Sequence, residues 1–296
     1  MAGKQFIAVE GCGMVTPFAV GVGREVLKQA GGARFAGGGA YWAIPDEFLN
    51  RYDSFNAELK KERGAWITAG ALVHACADAS IDLKDYPPER VGLVIGSAFA
   101  GQLGMIHFAE EVREQSARFV SPIHFPQTVG NYVAGALSRA FAIRGPNLTI
   151  ASGGLAGLEA IITGVRLLID GDADVVVAGG SETLSDPIVR GLGTVMDREK
   201  NGGVWAEGAC LYVLRPIDSA NEGRVQCLLE IDVAAGGISG VEDTYSLQPL
   251  VGRSLAAESA MRLASAISDD DGSKRREVVH VGDDGQVRRL VAVLPV

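Results

Sequence analysis

FPQTVGNYVAGALSRAFAIRGPNLTIASGGLAG, residues 125–157, is the stretch from which the fold is read. Its spacing predicts a helix over Thr128–Ala142, with the small residues Ala134, Gly135 and Ser138 on one face. Arg144-Gly145-Pro146 is a turn. Leu148–Ala151 is a short strand, and Ser152-Gly153-Gly154 bends sharply into a helix over Leu155–Ile169. A strand–bend–helix of this kind presents one residue at a helix N-terminus. Free N–H groups and the helix dipole favour an anion there and lower a thiol's pKa. It is an architecture for an activated nucleophile. Here the bend holds Gly153 and Gly154, neither of which has a side chain.

On both sides of this stretch, strand and helix patterns alternate. Gln5–Glu10 is a short apolar strand ended by Gly11-Cys12-Gly13, Val22–Gln29 a short helix, and Ala33–Gly39 a Gly-rich loop. Glu62–Ala79 carries Trp66, Ile67, Ala71, Leu72 and Ala75 at helical spacing. Val91–Ile95 and Asp174–Ala178 are continuous apolar runs, as in strands buried on both faces. Gln102–Arg118 reads as a helix, Ala209–Leu214 and Val225–Val233 as strands, Ser254–Ile267 as a helix and Val287–Val293 as a last strand. Arg198–Gly203 and Ser268–Arg276 read as loops, and the run Asp269-Asp270-Asp271 as a solvated turn. Such alternation predicts an α/β protein with mostly buried sheets.

The composition excludes several classes. Of 296 residues, 47% are hydrophobic, enough for a sizeable core, and the formal charge of −9 argues against a nucleic-acid or anionic membrane surface. No apolar run approaches the length of a membrane span, and the first residues show no signal-peptide pattern. Cys12, Cys76, Cys210 and Cys227 form no CxxC pair, so no metal site is expected and the thiols read as reduced core residues of a cytoplasmic protein. No cofactor is expected either. Gly11-Cys12-Gly13 follows a strand, but Thr16 stands where a dinucleotide fingerprint needs its third glycine. No P-loop and no Gly-x-Ser-x-Gly elbow occurs. His74, His107 and His124 read as structural or surface residues rather than bases.

The 125–157 stretch resembles the β-ketoacyl synthase family of the thiolase superfamily. The resemblance lies in Asn131 with Val133-Ala134-Gly135, in Arg144-Gly145-Pro146, and in the bend ending at Gly157. Flanking segments match in the same order: Gly11–Pro17, Glu89–Gly92 with Gly96-Ser97, Gly171–Asp174 with Ala178–Glu182, Glu207-Gly208-Ala209, and Gly252-Arg253 with Leu255–Glu258. The resemblance implies a thiolase-like layered fold, α-β-α-β-α, shortened mainly in its C-terminal half. Residues 1–215 would form the N-terminal half and 216–296 the C-terminal half of one compact unit.

Three departures carry the functional expectation. The family's nucleophilic cysteine aligns with Gly154. The position similar to a second catalytic histidine is Arg253. The segment for the first histidine is missing, since only Ala-Ala-Gly-Gly-Ile-Ser-Gly-Val-Glu-Asp-Thr separates Val233 from Tyr245. Claisen condensation needs a thiolate to hold the acyl chain and histidines to drive decarboxylation. The chain therefore resembles the family's chain-length factors, partner subunits without the cysteine. Its compact form is similar to partners from polyene-type or aryl-polyene systems.

That resemblance implies an active ketosynthase subunit as partner, in a heterodimer or dimer of heterodimers, and an acyl carrier protein reached through the complex. It also implies that Phe99, Gln102, Met105, Ile106, Phe108, Gln127, Thr128, Asn131 and Tyr132 face the acyl tunnel. Each of these is open to a plain core reading as well. Two alternatives stand beside this one. A free-standing acyltransferase or hydrolase on the same fold would use Ser152 or Ser97, with no base visible beside either. A carrier-protein binding module would use Arg113, Arg118, Arg139 and Arg144, which are spread out.

Overall fold

A computed structural model describes residues 6–30, 41–52, 55, 57–116, 118–195, 204–217, 225–230, 256–268, 275–281 and 287–294. The expectations for Ala33–Gly39, for Arg198–Gly203, for the segment between Val233 and Tyr245 and for Arg253 lie outside the described residues.

In chain order the elements are β1 (Ile7–Val15), β2 (Val20–Val22), α1 (Gly23–Ala30), α2 (Asp46–Leu49), α3 (Ala57–Lys60), α4 (Arg63–Ala79), β3 (Val91–Gly96) and α5 (Gln102–Gln115). Then come α6 (Tyr132–Ala140), β4 (Asn147–Ile150), α7 (Ala156–Ile169), β5 (Val175–Glu182), α8 (Asp186–Val195) and β6 (Gly208–Pro216). The last are β7 (Cys227–Glu230), α9 (Ala256–Ser268), β8 (Arg275–Val281) and β9 (Val287–Val293). The strands form one nine-stranded mixed sheet in the order β4-β3-β5-β6-β1-β7-β9-β8, with β2 paired to β1. β3 is parallel to both β4 and β5, while β5–β6 and β6–β1 are antiparallel.

Alternation within the buried strands feeds two cores. Leu93, Ile95, Val175, Val177, Leu211 and Val213 face α4 and α6. Val94, Val176, Ala178, Tyr212 and Leu214 face α7 and α9. Val278, Leu290 and Ala292, from β8 and β9, join that second core. Helices and sheet thus stack in alternating layers, as expected for the fold class.

Several boundaries differ from the expectations; β5, for one, runs on past Ala178 to Glu182. β1 is not ended by Gly11-Cys12-Gly13 but runs through it to Val15. A Cβ at Gly11 would lie 2.2 Å from the Ala75 carbonyl oxygen, and one at Gly13 2.0 Å from that of Ala71. The glycines let a strand lie against the backbone of α4, and no turn is formed. The helix expected over Thr128–Ala142 splits. Phe125–Thr128 is a single 3-10 turn and α6 begins only at Tyr132, because Val129 is extended and Gly130 follows it. α5 stops at Gln115 rather than Arg118. β8 begins at Arg275, inside the span read as a loop, because its charged ends conceal a Val-Val centre.

Candidate functional site

The bend is where the sequence places it. β4 runs in at the sheet's edge, Gly153–Leu155 make a 3-10 turn, and α7 starts at Ala156. Gly153 has φ 63°, in the left-handed region, and a Cβ there would meet nothing within 4 Å. Gly154, the residue at the expected nucleophile position, is partly buried and brings no functional group. The bend is locked from behind. A Cβ at Gly96 would lie 2.2 Å from the Ala156 oxygen, and Cβ atoms at Gly157 and Gly180 would lie 2.0 and 2.1 Å from the Ala256 oxygen. The Ala256 carbonyl, at the start of α9, is therefore wedged between α7 and β5. The Leu158 N–H, in the first turn of α7, donates to Ser259 Oγ at 3.1 Å.

No thiol reaches the bend. Cys12, Cys210 and Cys227 are buried in β1, β6 and β7, and Cys76 sits on α4. All four are free, with Cys12 and Cys210 Sγ 3.9 Å apart. Burial pushes the Cys76 thiol up to about 12 and raises those of Cys12 and Cys227 well above the usual range, so they are poor nucleophiles. No metal-binding cluster of histidine, cysteine and carboxylate occurs among the described residues.

A carboxylate that sequence reasoning left without a role is the hub of the region. Glu182, at the end of β5, is 1% exposed. Its oxygens accept from the Ser97 hydroxyl at 3.0 Å and from the N–H groups of Ala98 and Phe99 at 2.8 and 3.1 Å. The N–H of Ala256 also bonds to it. Burial lifts its pKa to about 7, and these donors pull in the opposite direction. One side chain thus pins the 97–99 loop, β5 and the start of α9 together. A carboxylate closing a wholly buried apolar run is the signal that marks it in the sequence.

A second buried carboxylate, Glu207, braces the neighbouring wall. Its Oε2 lies 2.7 Å from an Arg63 guanidinium nitrogen, and it also accepts the N–H of Ile44 at 2.9 Å. Arg63 reaches Asp46 at 3.0 Å as well. The start of α4, the approach to α2 and the entry to β6 meet at this pair.

The alternative nucleophiles separate. Ser152 is exposed and caps nothing. Ser97 does have a carboxylate beside it, Glu182, which the sequence did not reveal. That carboxylate is already engaged by three backbone N–H groups. Of the histidines, His74 lies 2.7 Å from the Tyr52 hydroxyl, His124 pairs with Glu111 at 2.9 Å, and His107 is exposed. Arg144 pairs loosely with Glu89 at 3.9 Å, and Arg113, Arg118 and Arg139 are exposed.

The two expected tunnel segments pack against each other. A Cβ at Gly104 would strike the Gln127 oxygen at 2.1 Å, and one at Gly101 the Thr128 oxygen at 2.7 Å. Their side chains do not converge on one cavity. Phe99 lines a small cavity of about 30 Å³ beneath the loop. Phe108 and Gln127 line a separate groove of about 330 Å³ with His107, Glu111, Ile123 and His124. Phe99 and Ile106 also pack against Leu184, Ile188, Val189 and Trp205. The Thr128 hydroxyl donates to the Phe125 oxygen at 2.8 Å, and Tyr132 packs into the α4–α6 core. Gln102, Met105 and Asn131 are exposed. Large apolar side chains stand in solvent on this stretch of chain: Met105 at 54%, Phe119 at 71%, Ile123 at 69%, which lines the groove, and Phe125 at 56%. Leu148, on edge strand β4, is also exposed.

Comparison with known proteins bears on this geometry. Residues 62–220 match the sequence profile of the β-ketoacyl synthase N-terminal domain. The 3-oxoacyl-[acyl-carrier-protein] synthase 2 of Vibrio cholerae is 30% identical over 249 residues, covering 77% of this chain and 58% of that protein. A putative polyketide beta-ketoacyl synthase 1 of Streptomyces virginiae is 26% identical over 229 residues, covering 70% of this chain and 54% of the relative. The chain spans little more than half the length of these curated relatives. Among solved structures, a ketosynthase complex with a type II polyketide acyl-carrier protein superposes with a TM-score of 0.80 at 17% identity, covering 99% of this chain and 100% of that one. The ishigamide ketosynthase/chain length factor superposes with a TM-score of 0.78 at 14% identity and the same coverage. At these identities the likeness establishes the thiolase-like ketosynthase fold. No helix among the described residues is long and apolar enough to cross a membrane.

Proposed function

Because the chain belongs to the β-ketoacyl synthase family, we propose that it is a non-catalytic partner subunit, similar to a chain-length factor. In this reading it pairs with an active ketosynthase and shapes the acyl tunnel, while the partner performs decarboxylative Claisen condensation on carrier-bound chains. The carrying observation is the bend before α7. The fold presents a helix N-terminus there, Gly153-Gly154 occupy it, and the four thiols lie elsewhere. Without a thiolate the acyl chain has no covalent anchor. Gly154 then stands at the nucleophile position and Arg253 at a histidine position.

The exposed apolar side chains Met105, Phe119, Ile123 and Phe125 support pairing, since large apolar groups left in solvent favour an interface. The partner that fits is a ketosynthase subunit of like shape, joined as heterodimer or dimer of heterodimers, in the cytoplasm and without a cofactor. Two solved neighbours are ketosynthase complexes with a chain length factor, one with a TM-score of 0.78 and one, from Xenorhabdus doucetiae, of 0.69. Phe99, Gln102, Met105, Ile106, Phe108, Gln127, Thr128, Asn131 and Tyr132 would face that tunnel and set its depth by bulk. Residues 1–215 and 216–296 would be the two halves of one unit, of the compact polyene type.

The Ser97–Glu182 contact at 3.0 Å favours the free-standing acyltransferase or hydrolase as a second reading. Glu182 is a poor base, because its lone pairs are taken. A reconstituted condensation assay tests the proposal. With malonyl-loaded carrier protein, the chain alone is expected to release no carbon dioxide and elongate nothing, while its complex with a ketosynthase does both. Turnover by the chain alone, lost in Ser97→Ala, would establish the second reading instead.

A further inference from the structure

The groove between α5 and the turn at 123–127 holds about 330 Å³, at the small end of cavities that take small molecules. Part of its lining is apolar. Phe108 and Ile123 line it, and the Phe108 ring meets that of Phe125 edge-on, with centroids 5.8 Å apart. The rest is polar. His107 and Glu111, one turn apart on α5, share the groove with His124 and Lys61. One ammonium is thus set against one carboxylate, so the lining favours neither an anion nor a cation. His124 is fixed in place. Its backbone N–H donates to the Ser121 oxygen and its own oxygen accepts from the Gln127 N–H, both at 3.1 Å. Its ring Nδ1 lies 2.9 Å from Glu111 Oε2. An ionised carboxylate only accepts, so this bond assigns the neutral ring's hydrogen to Nδ1. Nε2, on the far side of the ring, is then an acceptor.

We infer that this groove binds an uncharged, largely apolar small molecule through a hydroxyl that donates to His124 Nε2. Glu111 is the positioning residue, since its carboxylate sets the tautomer that makes Nε2 an acceptor. An ether or carbonyl oxygen at the same place meets a lone pair and gains nothing. Phe108 and Ile123 take up the apolar body, and an aromatic ring packs well beside Phe108. A phenol combines both features. The inference goes beyond the partner-subunit reading and does not rest on it, because it concerns the chain alone.

Ligand-observed NMR titration of the purified chain at pH 8 with 4-ethylphenol and 4-ethylanisole tests this. The two share an apolar body, and only the phenol can donate. The phenol is expected to bind about three- to tenfold more tightly, as one neutral hydrogen bond allows. His124→Phe keeps an apolar wall and abolishes the preference, whereas His107→Phe retains it. Nitrogen NMR shifts of the His124 ring should show Nδ1 protonated in the wild type. Glu111→Gln should lose that signature and the preference together, since a side-chain amide can donate to Nδ1 instead. Equal binding of the two probes, binding of neither, or a preference that survives His124→Phe would overturn the site. So would a wild-type His124 ring protonated on Nε2, a reading that needs no variant to fold. Loss of the preference in His107→Phe alone would move the acceptor to the other histidine and overturn the assignment as well.

Discussion

At the scale of single residues, Glu182 and Glu207 do most to hold the site in shape. Glu182 is buried with a pKa lifted to about 7 from an ordinary 4.5. Folding then favours its protonated form. Its contribution to stability is complete below about pH 4.5 and is lost as pH rises through about 7. The loss amounts to about 3 kcal/mol across that window. Glu182→Gln cannot titrate, so its melting temperature should fall less than wild type between pH 4.5 and 7.5, whatever its absolute value. Parallel pH profiles for the two proteins would refute the assignment. Arg63→Met takes the guanidinium away from the Glu207 carboxylate, which has no exposed side-chain surface. A loss of about 3–5 kcal/mol is expected in urea unfolding. A loss under 1 kcal/mol would mean that the N–H groups of Ile44 and Leu184 suffice for Glu207.

At the scale of elements, glycine decides where strands and helices meet. The sequence shows Gly11-Cys12-Gly13 as a break because glycine usually ends a strand, and the backbone of α4, 66 residues away at the Cys12–Asp78 bond, is invisible from it. The buried runs Val91–Ile95 and Asp174–Ala178 and the strand–bend–helix at 148–169 were legible, because their patterns are local, although the second strand runs on to Glu182. The role of Glu182 was not, since its partners come from a distant loop and from α9. The residues expected to face a tunnel read in the sequence only as two segments. Which side chains turn inward depends on packing against α8 and Trp205. Gly13→Ala should therefore unfold the β1–α4 contact. A Cβ 2.0 Å from a carbonyl oxygen demands backbone movement, costing about 3 kcal/mol. Thermal melting checks it, and an unchanged midpoint would show the contact to be looser. Gly154→Cys tests the bend itself. A thiol before α7 should react with iodoacetamide near neutral pH, ahead of the three buried native cysteines, because a helix N-terminus lowers its pKa. The variant should still condense nothing alone, for want of a histidine base. Condensation by Gly154→Cys without a partner would overturn the non-catalytic reading.

At the scale of the whole molecule, one mixed sheet wraps the α7–α9 layer and, among the described residues, has β4 at its edge. The apolar side chains of Met105, Phe119, Ile123 and Phe125 stand exposed on a chain with formal charge −9. Under the proposed partner-subunit reading, these exposed apolar side chains are the surface a second subunit would cover. The direct measurement is co-expression with a ketosynthase that retains its cysteine, followed by size-exclusion chromatography with mass determination. The account predicts a stable one-to-one complex, or a dimer of such pairs, which Phe119→Glu with Ile123→Glu disrupts. A soluble homo-oligomer of this chain that ignores the ketosynthase would contradict it.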